Sequence, residues 1–220
     1  MAAPPSITMD NLTGTYVMER KVSDAPDAIL AFQGMSWLTR QAISWATITL
    51  HVRHTKDSAT GADHIDIVQK LTGGFEGTRE QRIVDGTVRT HEDHVFGKVH
   101  GKSTWVARLA DVGSERRDAS YLSDEDRAFL VEGWGAEMEG SERVFLGYVE
   151  AESGWVAWSV WGFKEVEIEG VSERRWARHH VVVKPATGES KRARMYYDYL
   201  GPLEEGEVEK PAQDDGISDV

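Results

Sequence analysis

The feature that most constrains this chain is a succession of short segments in which apolar and polar residues alternate, each ended by a turn. Segment 47–54 is the cleanest: Ile48, Leu50 and Val52 fall on one face, and Thr47, Thr49, His51 and Arg53 on the other. Segment 64–71 repeats the pattern, with Ile65 and Ile67 set against Asp66 and Lys70. Comparable stretches at 13–22, 75–84, 88–99, 104–109, 144–150, 155–168, 174–184 and 190–200 bring the total to about ten strands. Asp85-Gly86 is a two-residue hairpin signal, and Gly73-Gly74, Gly101-Lys102, Glu152-Ser153-Gly154, Glu169-Gly170 and Thr187-Gly188 mark further turns. A meander this long either closes on itself or leaves exposed edges. The expected fold is mainly β: a single closed antiparallel up-and-down β-barrel of about ten strands. A barrel that wide is not filled by its own side chains and leaves a cavity.

Two segments interrupt the strands. Over 24–45, Asp24-Ala25-Pro26 supplies an N-cap and an early proline, and Ile29, Leu30 and Phe32 form one apolar helical face. Gly34 sits where a helix end needs positive φ, and Ser36 can cap a second helix carrying Leu38, Ala42 and Trp45. Two short helices between strands read as a lid. The second interruption, 111–140, is charged; Ser123 and Asp126 cap a helix bearing Phe129, Leu130 and Trp134. It is either a second flap over the barrel mouth or a decorated surface loop. The expected organisation is a loose arm at 1–10, the barrel over 11–203, and an acidic, disordered, solubilising tail over 204–220.

Composition narrows the function. The chain has no cysteine, which excludes disulfides, thiolate nucleophiles and thiolate metal sites. A net charge of −12 repels phosphate backbones, so nucleic acid is not an expected partner. No apolar run approaches the roughly 18 residues of a membrane helix, and residues 1–10 lack a secretion pattern, so the expected location is cytoplasmic. None of the histidine pairs has chelating spacing on a strand, so no metal is expected, and no motif calls for a cofactor. His91 and Asp93 share a strand face and are the one weak acid–base candidate, against the plainer reading of a surface hydrogen bond.

Gly14-Thr15-Tyr16, followed by Leu30, Gly34 and Thr39-Arg40 in order and spacing, resembles the opening of intracellular fatty-acid-binding proteins. More loosely, the whole chain resembles lipocalin-like (calycin) β-barrel proteins of filamentous fungi. The resemblance implies a helix-turn-helix lid between the first two strands and an inward Arg-x-Tyr on the last strand that holds a ligand carboxylate. Arg194-Met195-Tyr196 looks like that triplet. It also implies a second inward arginine two strands before the last, where this chain has none; Arg178, one strand later and on a face with Trp176 and His180, is the substitute.

The residues themselves leave the last strand open. Either Arg192, Arg194, Tyr196 and Asp198 face inward, or Tyr197 and Tyr199 do. An inward guanidinium needs an acid, a ligand or water, and Asp198 or Glu80 would serve in the empty protein. Trp155 and Trp161 share a face that Trp158 opposes; they fill a core or line a pocket. Phe32, Trp37 and Leu38 are expected at the entrance. The expected function is binding of an apolar small molecule (fatty-acid, terpenoid or polyketide-like) in the cavity. The alternative is a cofactor-independent, pericyclase-like cyclase or isomerase of fungal secondary metabolism using the same pocket.

Overall fold

A computed structural model describes residues 1–72, 76–93, 95–113, 120–204 and 208. In chain order the described elements are β1 (Gly14–Met18), α1 (Asp27–Phe32), α2 (Trp37–Trp45), β2 (Ile48–Lys56), β3 (Asp63–Leu71), β4 (Glu76–Val84), β5 (Arg89–Asp93) and β6 (Gly97–Val106). After a 3-10 turn at Leu109–Asp111 come α3 (Asp124–Val131), α4 (Ala136–Glu139), β7 (Val144–Ala151), β8 (Trp155–Ile168), β9 (Val171–Lys184) and β10 (Glu189–Gly201). The strands form one sheet in the order β4-β3-β2-β1-β10-β9-β8-β7-β6-β5. A single parallel bridge, Val84 opposite Ser103, joins β4 to β6 and closes nine strands into a barrel. β5 is a tenth strand held antiparallel on β6. The expected mainly β barrel, with a helical lid after the first strand and a helical insertion, is therefore present.

Three local expectations differ. Segment 88–99 is not one strand, and the chain runs straight through Gly101-Lys102 within β6. The turn glycine is Gly97, at φ 73°; Gly101 is extended and faces the lumen. Asp85-Gly86 does turn, with Gly86 at φ 76°, but it makes no β4–β5 hairpin. Its amide donates to the Ser103 carbonyl at 2.9 Å, which steers the chain onto β6. The Gly73-Gly74 turn lies outside the described residues, as does the tail expected from 204 onward, apart from Glu204 and Val208.

In the lid, Ser36 Oγ accepts from the Thr39 amide at 3.2 Å and Gly34 adopts φ 89°, as the sequence suggests. Asp24 does not cap α1; its carboxylate accepts from the Arg194 amide of β10 at 2.7 Å. Arg40 ties the two helices together through Asp27 at 2.6 Å and the Met35 carbonyl at 3.2 Å.

The lower lumen is packed with aromatic rings. Tyr16, Phe145, Trp161, Trp176 and Tyr197 enter it from five strands, with Phe145 stacked on Trp161 at 4.0 Å and Trp176 tilted on Tyr197 at 5.1 Å. Residues 1–10, expected as a loose arm, pack against this end. Ala3 and Ile7 are buried in the aromatic cluster, and the Ala3 amide donates to the Arg174 carbonyl at 2.7 Å. An open barrel end would leave those rings wet, and the arm's apolar residues cover them.

The insertion is neither of the two things expected of it. α3 and α4 lie on the outside wall of β8–β10, where Leu130, Trp134 and Met138 bury Val156, Trp158, Val160, Val181 and Tyr196. That is why β8 and β9 are apolar on both faces. α4 docks through a hole at Gly162, where an added Cβ would lie 2.1 Å from Met138 Sδ. Gly162→Ala is expected to destabilise by about 1–3 kcal/mol through overpacking, measured by urea denaturation, and Met138→Ala in the same chain should recover part of that loss. Unchanged stability in the single variant would contradict the docking described.

Candidate functional site

The strands carry a gradient of side-chain size along the barrel axis. On β8 the inward residues run Trp155, Ala157, Ser159, Trp161 and Phe163, so a small pair is bracketed by rings. At the level of that pair the facing positions are Gly101 and Ser103 on β6, Gly147 on β7 and Ala193 on β10. The result is a cavity of about 320 Å³ in the upper barrel, at the lower end of the range of about 300–1,000 Å³ usual for small-molecule sites. Ile29, Leu30, Met35 and Ile43 of the lid region roof it, and Leu50, Val99 and Val182 are apolar wall. Gly147 is needed there: a Cβ would sit 2.7 Å from Ser159 Oγ and 3.4 Å from Arg82 Nη1.

An ion cluster forms the floor. Glu80 of β4 accepts from Arg82 Nε at 2.8 Å on one oxygen and from Arg178 Nη1 of β9 at 3.0 Å on the other. β4 and β9 lie on opposite walls, so the second bond crosses the lumen. The Arg178 guanidinium lies 4.1 Å from the Trp161 ring and 4.5 Å from Trp176, an aromatic cage that favours a desolvated cation. Burial alone would raise the Glu80 pKa, but the charges of Arg178 and Arg82 outweigh it and hold the carboxyl far below its ordinary range. Glu80 stays ionised, and 24% of its side-chain surface remains open, toward the chamber it lines.

His180 is neutral. Burial, then the Arg178 charge, lowers its pKa to about 3. The floor therefore has two fixed positive charges against one negative. Among the described residues, Arg178 Nε and Nη2 and His180 Nε2 are buried without a hydrogen-bond partner. A low-dielectric site with surplus positive charge and unused donors favours a guest that brings an acceptor or an anion.

The structure brings only some of the sequence candidates to this chamber. Arg178 and His180 line it from β9, and Trp155 lines its upper wall. Trp176 and Trp161 stand below, caging Arg178. β10 takes the other register: Ala193, Met195 and Tyr197 face in, while Arg194 and Tyr196 face out under the insertion. There Arg194 lies over the Phe129 ring at 4.4 Å, so its apolar stem and flat head serve as packing surface outside the lumen. Asp198 is also outside, bound to Arg175 at 2.7 Å.

Phe32 packs at the upper rim beneath Lys184, 4.5 Å from its ring. Trp37 and Leu38 are 66% and 73% exposed on the outer face of α2, because that helix turns Ile43 inward instead. His91 is exposed at the chamber's edge; the Asp93 side chain and His94 lie outside the described part of the structure. Sequence reasoning missed Arg82, Ser103, Ser159 and the inward small residues. The signal for the last group was on β8, where Ala157 and Ser159 interrupt a run of tryptophans at even spacing.

The fold and the chamber define a lidded, closed β-barrel with an internal cavity. No family model matches the sequence. The chain is 28% identical over 201 residues to a protein described as "Probable pericyclase scpY" from Mollisia scopiformis, covering 91% of this chain and 96% of that one. It is 23% identical over 204 residues to "Pericyclase pydY" from an Acremonium species, covering 92% and 98%. Among solved structures it is similar to fatty-acid-binding protein 1 of Echinococcus granulosus, at 13% identity and a TM-score of 0.45, covering 86% of this chain and 98% of that one.

The buried histidines make stability depend on pH. His179, on the outer side of β9, stacks on Trp134 at 4.0 Å; burial, then the Arg194 and Lys164 charges, lowers its pKa to about 3, like that of His180. Unfolded histidine titrates near 6.5, so below that pH the unfolded chain binds protons that the fold refuses. Stability is expected to fall as pH drops from about 6.5 toward 3, by at most about 1.4 kcal/mol per unit for each histidine. Urea midpoints at pH 7 and pH 5 measure this; burial also lowers the His54 pKa, so His179→Phe should remove only the His179 share of the dependence.

Proposed function

We propose that the chamber binds one apolar small molecule that carries a carboxylate or similar acceptor, of fatty-acid, terpenoid or polyketide-like class. The observation behind this reading is the half-filled lumen: an apolar vault with its roof of Ile29, Leu30 and Ile43 above a floor that holds one positive charge too many. Each buried methylene contributes roughly 0.8 kcal/mol, so an apolar body supplies affinity and the floor supplies orientation. Arg178, supported by Glu80 and Arg82, takes the anchoring role that the resemblance assigned to Arg194 and Tyr196. His180 and Ser103 are the neighbouring polar groups. The reading includes no metal, no cofactor, no nucleic acid and a cytoplasmic location.

A second reading uses the same chamber: cofactor-independent cyclisation or isomerisation. It is favoured by similarity along more than nine-tenths of the chain to two proteins whose names contain "pericyclase". A rigid vault can hold a flexible chain in a reactive fold, and fixed donors at its floor can polarise one end.

Ala157→Trp fills the vault without touching the ion cluster. It is expected to weaken binding of the fluorescent probe 1-anilinonaphthalene-8-sulfonate at least about tenfold, roughly 1.4 kcal/mol. Arg178→Met should weaken acidic guests and leave neutral ones of the same shape nearly unaffected, at a stability cost of a few kcal/mol for the broken buried pair. Wild-type affinity in Ala157→Trp would contradict the site. Conversion of an isolated linear precursor by the wild-type protein, absent in Ala157→Trp, would select the second reading.

A further inference from the structure

The two helices over the barrel are the expected gate, yet they are strapped down. Arg20, just after β1, donates to the carbonyls of Ser44 at 2.6 Å, Ile43 at 3.0 Å and Ala46, the last turn of α2. Arg40 binds Asp27 across the pair at 2.6 Å, and the Ser23 and Asp24 side chains take the amides of Tyr196 and Arg194 at 2.9 and 2.7 Å. A smaller cavity of about 140 Å³ beneath the helices shares Met18, Pro26, Leu30 and Ile43 with the chamber, and its far side is ringed by these same bonded residues. Lifting the helices would break several charge-assisted hydrogen bonds at once.

The opposite side of the chamber is held by much less. Among the described residues β4 and β5 share no pairing, and β4 meets β6 in one ladder bridge, Val84–Ser103, reinforced by the Gly86 amide on the Ser103 carbonyl and by Arg82 Nη1 donating to Ser103 Oγ at 3.4 Å. Above that bridge the two strands flank an unpaired seam. The cavity itself traces it. Residues 78 through 83 of β4 all border the cavity, although alternate residues of a strand point to opposite faces. Unpaired on that side, β4 presents backbone as well as inward side chains to the space, over a longer run than the Ala157–Ser159 stretch of β8, which is paired on both sides. Thr87, Arg89 and His91 border it from the other side.

We propose that the guest enters and leaves sideways, through the β4–β5 seam, and that the helical pair is a fixed roof. This rests on the chamber being a ligand site. Among the described residues, passage through the seam requires no ladder hydrogen bond to break, because the facing backbone edges are not bonded to each other. It also accommodates molecules longer than the chamber, whose far end rests between Gln81 and His91 while the acceptor end meets the Arg82–Arg178 floor.

The chain has no cysteine, so introduced pairs are unique. Gln81→Cys with His91→Cys, both exposed positions, can be bridged by a short bismaleimide to close the seam. Ala25→Cys with Ser44→Cys, also exposed, bridges the helices to the segment after β1. Stopped-flow uptake and release of 1-anilinonaphthalene-8-sulfonate are compared before and after bridging. The seam bridge is expected to slow both rates at least about tenfold, equivalent to about 1.4 kcal/mol on the barrier; the helix bridge should leave both within about twofold. Unchanged rates with the seam bridged, or slowing confined to the helix bridge, would overturn the route. No uptake by the unbridged proteins would overturn the chamber reading and the route with it.

Discussion

The contact on which the interior depends is the one between Glu80 and Arg178, which spans the lumen from β4 to β9. Burying three ionised side chains in a barrel is costly unless each is paired. Here one carboxylate serves two guanidiniums, and three aromatic rings, Trp161, Trp176 and Tyr197, surround Arg178. The cluster divides the barrel. Below it the rings pack closely; above it Gly101, Ser103, Gly147, Ala157, Ser159 and Ala193 leave room between the apolar walls. A fully apolar lumen would have no reason to keep an open vault and a fixed orientation for its guest.

Other parts of the chain serve that arrangement. The amino-terminal residues cover the aromatic end, so the floor is shielded from solvent on that side and its charges are screened less there. The insertion braces the outer faces of β8–β10 through Trp134 and Met138, holding β9, and therefore Arg178 and His180, in register. Neither part touches the chamber. Both determine what the chamber's charges are worth.

Much of the barrel was legible because a strand with one wet face announces itself by alternation, as β2 does with Ile48, Leu50 and Val52. The lid was legible through Gly34 and Ser36, whose backbone and capping roles are local. The last strand was not, because the insertion covers its outer face and no solvent side remains to label it. Arg194 and Tyr196 then look as suited to a pocket as Met195 and Tyr197. The runs Val181–Val183 and Val156–Val160 hold the clue: a strand apolar on both faces needs cover on both. The Glu80–Arg178 pair joins residues 98 positions apart, and no local pattern encodes that partnership. Gly101 was misread as a turn for a related reason. Its lack of a side chain serves the space it faces rather than its own backbone.

The most direct measurement is a crystal structure of the protein soaked with an iodinated, acid-bearing apolar probe, with the iodine located by its anomalous scattering. The account places the iodine in the upper lumen, between Ala157, Ser159 and Ala193, with the acid directed at Arg82 and Arg178. Iodine found solely against the exposed Trp37 and Trp45 of α2, with nothing inside the barrel, would contradict it.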